Sequence, residues 1–534
     1  MQGWIQYTPD IDKNGFRILL LEIENHNVLA RGGDNCRLEL FNYDQENDIS
    51  ISTVPYSTVI IGRNGIGKSF ILSALADIFR YLKSLQENDQ DTIEPEFRFA
   101  IQYFLNGHCY KVLTLARDNE YSGDSWRFLR TLNCWEDDEH CPVSSIMLPT
   151  AVLASSVSIN DRFRTQKTQD GFYWYLGTRN ENSPSTTGTK TIVRKTVSAI
   201  AECLSHGEYF RDNLKSLLEY LNLEPRMEIE YSFRYRKVYL SQRMTNEEFN
   251  YIFDHWKDRF EESGSKRKEA PWGHKKYPHI RDNEENVSLI VNFLNKIIDN
   301  DLLGARGRLQ YSLRDNSLAE DWKAIKLLTE LDIITYPSIR VYKKDSGSSR
   351  AEYYPFEESS SGETNMLCQF ISILARIEHH GLVLIDEPET SAHPNWQIRY
   401  IDWLNKIFSR FNTCHFIIST HSHLLLSGLE QGSSSVVALK KEGNRVENIS
   451  EGVDTSGWTA DDILYEVFNV RNPMNTALER DLERAVQLID EKLSGNENEI
   501  NELLKRFNKV YRGVRDPLGA LIKELEGYAK SRQE

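Results

Sequence analysis

The sequence predicts an α/β fold: a head in two halves, separated by a helical insertion and followed by a helical C-terminal region. Three observations predict it. Short apolar runs, among them Val59–Ile61 and Leu382–Ile385, read as buried strands beside amphipathic helices. Between about Thr196 and Asp332 the apolar residues instead recur every three or four positions, the period of a helix face. The same period returns after about Trp458. The implied bounds are 1–195 and 333–457 for the halves of the head, 196–332 for the insertion and 458–534 for the C-terminal region.

In the first half, Phe16–Leu29 and Arg37–Tyr43 mix alternating and continuous apolar character, as strands do. Ser57–Phe79 gives a short strand, a glycine-rich turn and an amphipathic helix. Phe97–Leu105, Tyr110–Ala116 and Met147–Ser156 read as further strands. In the insertion Ser198–Leu223 and Ser288–Leu303 read as helices, without the sustained heptads of a long coiled-coil arm. Strand character returns at Ile334–Lys344, Gly381–Pro388, Cys414–Ser422 and Ser434–Gly443. Thr476–Leu493 places Leu478, Leu482, Ala485, Ile489 and Leu493 on one helix face, with Thr476 and Glu479 as a capping box.

Composition narrows the function classes. The 534 residues carry a net charge of −15, which argues against coating nucleic acid by bulk charge and leaves a local basic groove open. Apolar residues at 40% and aromatics at 11% exclude wholesale disorder. No run approaches the ~18 consecutive apolar residues of a membrane helix, and the start MQGWIQYTPD lacks a secretory signal. The seven cysteines are scattered, so a reducing cytoplasmic setting is expected rather than a disulfide framework.

The chemistry is concentrated in a few segments. Gly62-Arg63-Asn64-Gly65-Ile66-Gly67-Lys68-Ser69 fits GxxxxGK[ST] in full, between a strand and a helix. Glycines let backbone N–H groups curl around phosphates, and the helix N-terminus adds partial positive charge. Asn64, Gly65 and Gly67 would line that loop, Lys68 would reach the β- and γ-phosphates of ATP, and Ser69 would offer an oxygen to Mg²⁺. Leu382–Ile385 delivers Asp386 and Glu387 to the C-terminal edge of a buried strand, where α/β sheets bind ligands. Asp386 suits Mg²⁺, and Glu387 suits orienting or deprotonating the attacking water.

Two further segments resemble known motifs. Glu358-Ser359-Ser360-Ser361-Gly362-Glu363 resembles the signature motif of ABC-type ATPases, and Asp386 follows Gly362 at about that family's spacing. Ile418-Ser419-Thr420-His421-Ser422 resembles its switch segment, with His421 sensing the γ-phosphate, and Glu389–Pro394 resembles its D-loop. The resemblance implies an ABC-type P-loop ATPase head that works as a dimer or higher oligomer. Ser361 and Gly362 would act on the nucleotide of the other subunit, and Lys68, Ser69, Asp386, Glu387 and His421 on their own. That family's Q-loop glutamine has no clear counterpart, since the first glutamine after Ala151–Ser155 is Gln166.

The 292 positions between Ser69 and Ser361 suit a globular insertion, similar to the overcoming-lysogenization-defect-like ATPases of bacterial defence. VLASSVSINDRF (152–163), GFYWYLGTRN (171–180), LVLIDEPETSAHP (382–394) and GWTADDILYEVF (457–468) resemble the PtuA family of Septu and retron-Septu anti-phage systems. That resemblance implies a PtuB-like HNH nuclease as partner and, in retron versions, a reverse transcriptase with its DNA–RNA hybrid. Toprim-bearing relatives need a late Asp-x-Asp. None follows His421, and Asp461-Asp462 is only an adjacent pair, so no intrinsic nuclease is expected. Alternatives are a DNA-repair ATPase acting on DNA ends and a slow-turnover ATP-binding scaffold. Cys134, Asp137, His140 and Cys141 could bind zinc, though no second cluster completes the ligand set. The basic run Lys266–Lys276, with Trp272 and Tyr277, could contact nucleic acid or stay a solvated loop.

Overall fold

A computed structural model of the chain describes residues 4, 15–26, 28–41, 53–87, 94–115, 131–158, 160–165, 171–179, 189–204, 208–234, 236–255, 280, 283–304, 307–314, 316–335, 337–344, 353–358, 361–430, 432–442, 445–448, 476–490, 497–510 and 518–531. Gln166, the basic run 266–277, residues 359–360, the segment 457–468 and Asp461-Asp462 lie outside the described residues.

The strands are β1 (Phe16–His26), β2 (Ala30–Glu39), β3 (Tyr56–Gly62), β4 (Arg98–Leu105), β5 (His108–Leu115), β6 (Thr131–Glu136), β7 (Glu139–Cys141), β8 (Val152–Ser156), β9 (Tyr173–Tyr175), β10 (Leu223–Ser232), β11 (Arg308–Ser312), β12 (Ser338–Lys343), β13 (Tyr353–Pro355), β14 (Leu382–Asp386), β15 (His415–Thr420), β16 (Ser434–Glu442) and β17 (Arg445–Asn448). The longer helices are α1 (Lys68–Glu87), α2 (Thr189–Cys203), α3 (Glu208–Tyr220), α4 (Asn246–Asp254), α5 (Glu284–Asp299), α6 (Ser317–Glu330), α7 (Ser361–Leu374), α8 (Pro394–Ile407), α9 (Thr476–Asp490), α10 (Glu497–Val510) and α11 (Leu518–Ser531).

Among the described residues, thirteen strands share one sheet in the order β7-β6-β5-β4-β1-β2-β17-β16-β3-β15-β14-β8-β9. From β16 to β9 neighbours run parallel. On the other side they pair antiparallel. Parallel strands are buried on both faces, which is why they read as unbroken apolar runs. Leu382 and Leu384 enter the core that holds α1, whereas Val383 and Ile385 enter the core shared with α7, α8 and the insertion. The fold is thus α/β, with a parallel half-sheet continuous with an antiparallel one.

Between 189 and 330 the described residues form helices together with strands β10 and β11, and these strands join a second, antiparallel sheet in the order β11-β10-β12-β13. The strand character at 334–344 belongs to this sheet, because β12 pairs with β10. In β10 the apolar Ile229 and Tyr231 alternate with Glu228 and Glu230, a charge-rich pattern that is quiet as a strand signal. The single helix expected over 198–223 is divided into α2 and α3.

The chain divides into two compact units, Met1–Ala460 and Asp461–Glu534. In the second, α9, α10 and α11 bury Ala485, Leu488, Ile500, Leu503, Phe507, Ile522 and Leu525 in a small core, with Leu482 packed against it. The side chains of Thr476, Leu478, Glu479 and Ile489, and Leu493 altogether, lie outside the described residues. No helix among the described residues is long and apolar enough to cross a membrane.

Candidate functional site

The C-terminal ends of β3, β15, β14 and β8 lie side by side, because these four strands are consecutive and parallel. At β3 the chain leaves Gly62, turns through 63–67 and enters α1 at Lys68. Gly65 and Gly67 take φ of +77° and +114°, a region that favours glycine. At Gly67 space demands it too, since a Cβ would collide with the Leu29 side chain. The first turn of α1 contains no acidic residue, so its backbone N–H groups offer an uncontested anion site. Asn64 sits exposed on the loop.

Lys68 is only 4% exposed. Its Nζ donates to the carbonyl of Gly62 at 2.8 Å and lies 2.8 Å from Nδ1 of His421. Burial pulls its pKa down to about 8, against the upward pull of Glu387, Glu389 and Asp386. With its proton on Nε2, His421 accepts from Lys68 at Nδ1 and donates to Glu387 Oε1 at 2.8 Å. Lys68, His421 and Glu387 thus form one continuous chain.

Asp386 ends β14, opposite Ser419 of β15 and Ser156 of β8. Ser69 Oγ donates to its Oδ1 at 3.0 Å, and Ser419 Oγ donates to the same oxygen. Asp386 is 2% exposed and forms no ion pair among the described residues. Burial therefore pushes its pKa up to about 6, while the two hydroxyls hold it down. A buried carboxylate beside hydroxyl oxygens, with no protein cation in ion-pair contact among the described residues, is a hard-oxygen donor set that fits Mg²⁺.

Glu387 follows in the left-handed region, at φ +50°, a conformation that costs a non-glycine residue on the order of 1 kcal/mol. Its N–H donates to the Ser419 carbonyl at 3.0 Å. That kink swings the carboxylate out of the strand direction toward His421. The His421 hydrogen bond, helped by the Lys68 charge and against the pull of burial, holds Glu387 below the usual carboxylate range.

The signature segment begins α7 at Ser361, whose side chain lies outside the described residues. Gly362 is buried against residues 391–392: a Cβ there would collide with the Ser391 carbonyl oxygen and come within 3.2 Å of Ala392 Cα. Within one chain, then, Gly362 neighbours 391–392, while Gly65, Gly67, Lys68, Ser69, Asp386, Glu387 and His421 gather at the strand ends.

Two participants had no assigned role in the sequence reading. Ser419 binds Asp386, and the register of adjacent parallel strands was the signal that pairs them. Glu389 Oε1 accepts the His421 N–H at 2.6 Å, while its Oε2 is buried without a partner. At the end of β8 the described glutamine is Gln369 of α7, which donates to Ser155 Oγ at 3.2 Å. The zinc set does not converge. Cys134 and Cys141 face each other across the β6–β7 hairpin, while Asp137 turns to His108 Nδ1 at 2.7 Å. Burial pushes the Cys134 thiol up to about 12, so it stays protonated.

A family model described as an AAA ATPase domain matches residues 36–426. A Septu protein PtuA from Bacillus thuringiensis is 26% identical over 244 residues, 40% of this chain and 58% of that protein. A Septu protein PtuA from Bacillus mycoides (strain KBAB4) is 26% identical over 133 residues, 23% of this chain and 18% of that protein. The matches thus span less than two thirds of either relative. Among solved structures, the SMC head domain from Thermotoga maritima covers 81% of this chain and 98% of its own, at 13% identity and a TM-score of 0.31. The Smc head domain of Pyrococcus furiosus bound to the C-terminal domain of ScpA covers 81% and 96%, at 11% identity and a TM-score of 0.31. Scores of that size leave the fold to rest on the sheet order itself. The family match spans well over half of the sequence and includes the loop, both carboxylates and His421, and the chain belongs to the AAA ATPase domain family.

Proposed function

We propose that this chain is the ATP-hydrolysing switch subunit of an anti-phage defence complex, and that ATP-dependent pairing of two heads controls a partner HNH nuclease. One observation carries the reading: Lys68, Ser69, Asp386, Glu387 and His421, from three separate segments, meet within hydrogen-bond distance at adjoining strand ends. The similarity to the two Septu proteins PtuA supports the defence setting.

Each group has a task in this reading. The 63–67 loop and the α1 N-terminus bind the phosphates through backbone N–H groups. Lys68 leaves the Gly62 carbonyl for the phosphate oxygens, and an anion there restores its proton affinity. Ser69 and Asp386 would hold Mg²⁺, which when bound neutralises charge on the β- and γ-phosphates. Glu387, kept ionised by His421, accepts a proton from the attacking water. His421 loses Lys68 as a partner when the phosphates arrive, so its position reports occupancy. Ser361 and Gly362 cover the nucleotide of the partner head, which excludes water and completes the site.

The test is Glu387→Gln. Hydrolysis is expected to fall about 10²–10³-fold, the scale of losing one transition-state group, while light scattering shows an ATP-dependent dimer accumulating. An unchanged slow rate would favour the scaffold alternative, and a variant that stays monomeric in saturating ATP would end the head-pairing model. The defence setting is tested in the genome: an HNH reading frame should adjoin this gene, alone or with a reverse transcriptase, and absence of the nuclease gene overturns the assignment.

A further inference from the structure

The insertion contains a second cleft, remote in sequence from the loop and carboxylates above. It lies between α3, the start of β10 and the turn after β11, with a volume of about 260 Å³. Its walls carry Arg211, Lys215, Arg226 and Arg314 and no acidic residue. In a chain with 79 acidic and 64 basic residues, four cations without an acid run against composition.

These cations are incompletely neutralised. Arg226 is spoken for, with Nη2 2.6 Å from Glu228 and its guanidinium over the Tyr342 ring. Lys215 has one exposed i,i+3 pairing with Asp212 at 3.2 Å, worth little in water. Among the described residues Arg211 donates only to a neutral partner, Asn316 Oδ1, and its buried Nε has no hydrogen-bond partner there. Arg314 makes no side-chain hydrogen bond or ion pair among the described residues. Four cations thus face two carboxylates, neither of which lines the cleft.

Two more features point to an anion. Asn316 precedes α6 but makes no capping bond, because Arg211 holds its side chain. Asn316, two positions past Arg314, therefore gives its side-chain oxygen to Arg211 rather than to the start of this helix. Beneath the cations the floor is apolar, formed by Leu214, Leu218 and Met227. Charged rim and aliphatic floor together suit a ligand with a phosphate at one end and a flat, weakly polar body at the other. The volume is just under the ~300–1,000 Å³ of ordinary ligand pockets, which favours one small unit.

We propose that this cleft binds a phosphate-bearing nucleotide unit, with the phosphate on Arg211, Arg314 and Lys215 and the base on the aliphatic floor. The unit has two sources, a free mononucleotide or a residue of a single nucleic-acid strand. Neither carries a triphosphate, so the loop at Lys68 does not compete for it.

The experiment uses the full chain with saturating ATP and a fluorescent ten-residue thymidine strand, read by anisotropy, with thymidine 5′-monophosphate as competitor. Arg211→Gln with Arg314→Gln is expected to weaken strand binding at least tenfold and to lower the salt slope by about 0.7, the value for one phosphate of a single strand. ATP hydrolysis and the thermal midpoint should stay at wild-type values. Displacement by the mononucleotide would identify the free ligand; strand binding that resists it would identify the strand. If the double variant unfolds, Lys215→Gln, an exposed change, should still weaken binding about threefold. Wild-type protein that retains neither probe, or variants that bind as wild type does, overturns the proposal.

Discussion

Two buried aspartates at the ends of adjacent strands are treated in opposite ways. Asp161, just past β8, is finished: Arg179 donates through Nη2 at 2.6 Å and Nε at 3.2 Å, and Tyr175 adds its hydroxyl at 2.7 Å. Asp386, at the end of β14, is equally enclosed and receives hydroxyls alone. Burying an ionised carboxylate costs several kcal/mol unless it is paired. A structural aspartate is therefore expected to look like Asp161. One left with two hydroxyls and a raised pKa is an aspartate whose cation comes from outside.

The sharpest test of that contrast is Arg179→Met. It removes the partner of a buried charge, so stability should fall by about 3–5 kcal/mol, read as a lower urea midpoint. A loss under ~1 kcal/mol would mean that Asp161 is no better served than Asp386, and the comparison would collapse.

The next effect is smaller and of opposite sign. Asp386→Asn in EDTA should stabilise the chain at pH 7–8. The wild-type carboxyl titrates near 3.8 when unfolded and about 6 when folded. Its folded state is favoured by the proton below about pH 3.8, and that advantage is lost as pH rises through about 6. The two-unit difference amounts to up to ~3 kcal/mol, which asparagine removes. Thermal midpoints of both forms from pH 4 to 8 should therefore diverge with rising pH. Added Mg²⁺ with nucleotide should raise the wild-type midpoint and leave the variant flat. Destabilisation of the variant at pH 8 would show that Asp386 is already satisfied.

What was legible in the sequence follows the same division. The parallel strands announced themselves because burial on both faces leaves only apolar residues, as in Leu382–Ile385. The phosphate loop was legible because glycine alone suits the backbone at 65 and 67. The second sheet was hidden: β10 interleaves Glu228 and Glu230 with its buried residues, and Glu230 is held by Arg308 at 2.9 Å and Arg340 at 2.7 Å. Salt bridges between strands distant in sequence leave no local period to read. Nor could periodicity reveal that Gly362 packs on Ser391, since that contact joins two turns. The basic cleft likewise draws its four cations from three elements, none of them a charge run.

The smallest effect concerns how His421 is held, and it carries the contrast from strand ends into the loop beyond them. Glu389 is a third carboxylate, half satisfied: Oε1 takes the His421 N–H at 2.6 Å, and Oε2 is buried without a hydrogen-bond partner. It touches neither Lys68 nor Glu387 by hydrogen bond among the described residues; it reaches Lys68 by charge alone, and its direct hold is on the backbone at 421. Glu389→Ala leaves that N–H unpaired, at about 1–2 kcal/mol, and should lower kcat about tenfold with KM for ATP little changed. Glu389→Gln keeps an acceptor for the same N–H and gives the unpartnered side a donor, so it should recover most of the rate. A purely structural carboxylate would lose thermal stability equally in both variants and show no such rescue. If alanine and glutamine prove equally slow, the charge itself acts, and Glu389 belongs with the electrostatics of Lys68 rather than with the positioning of His421.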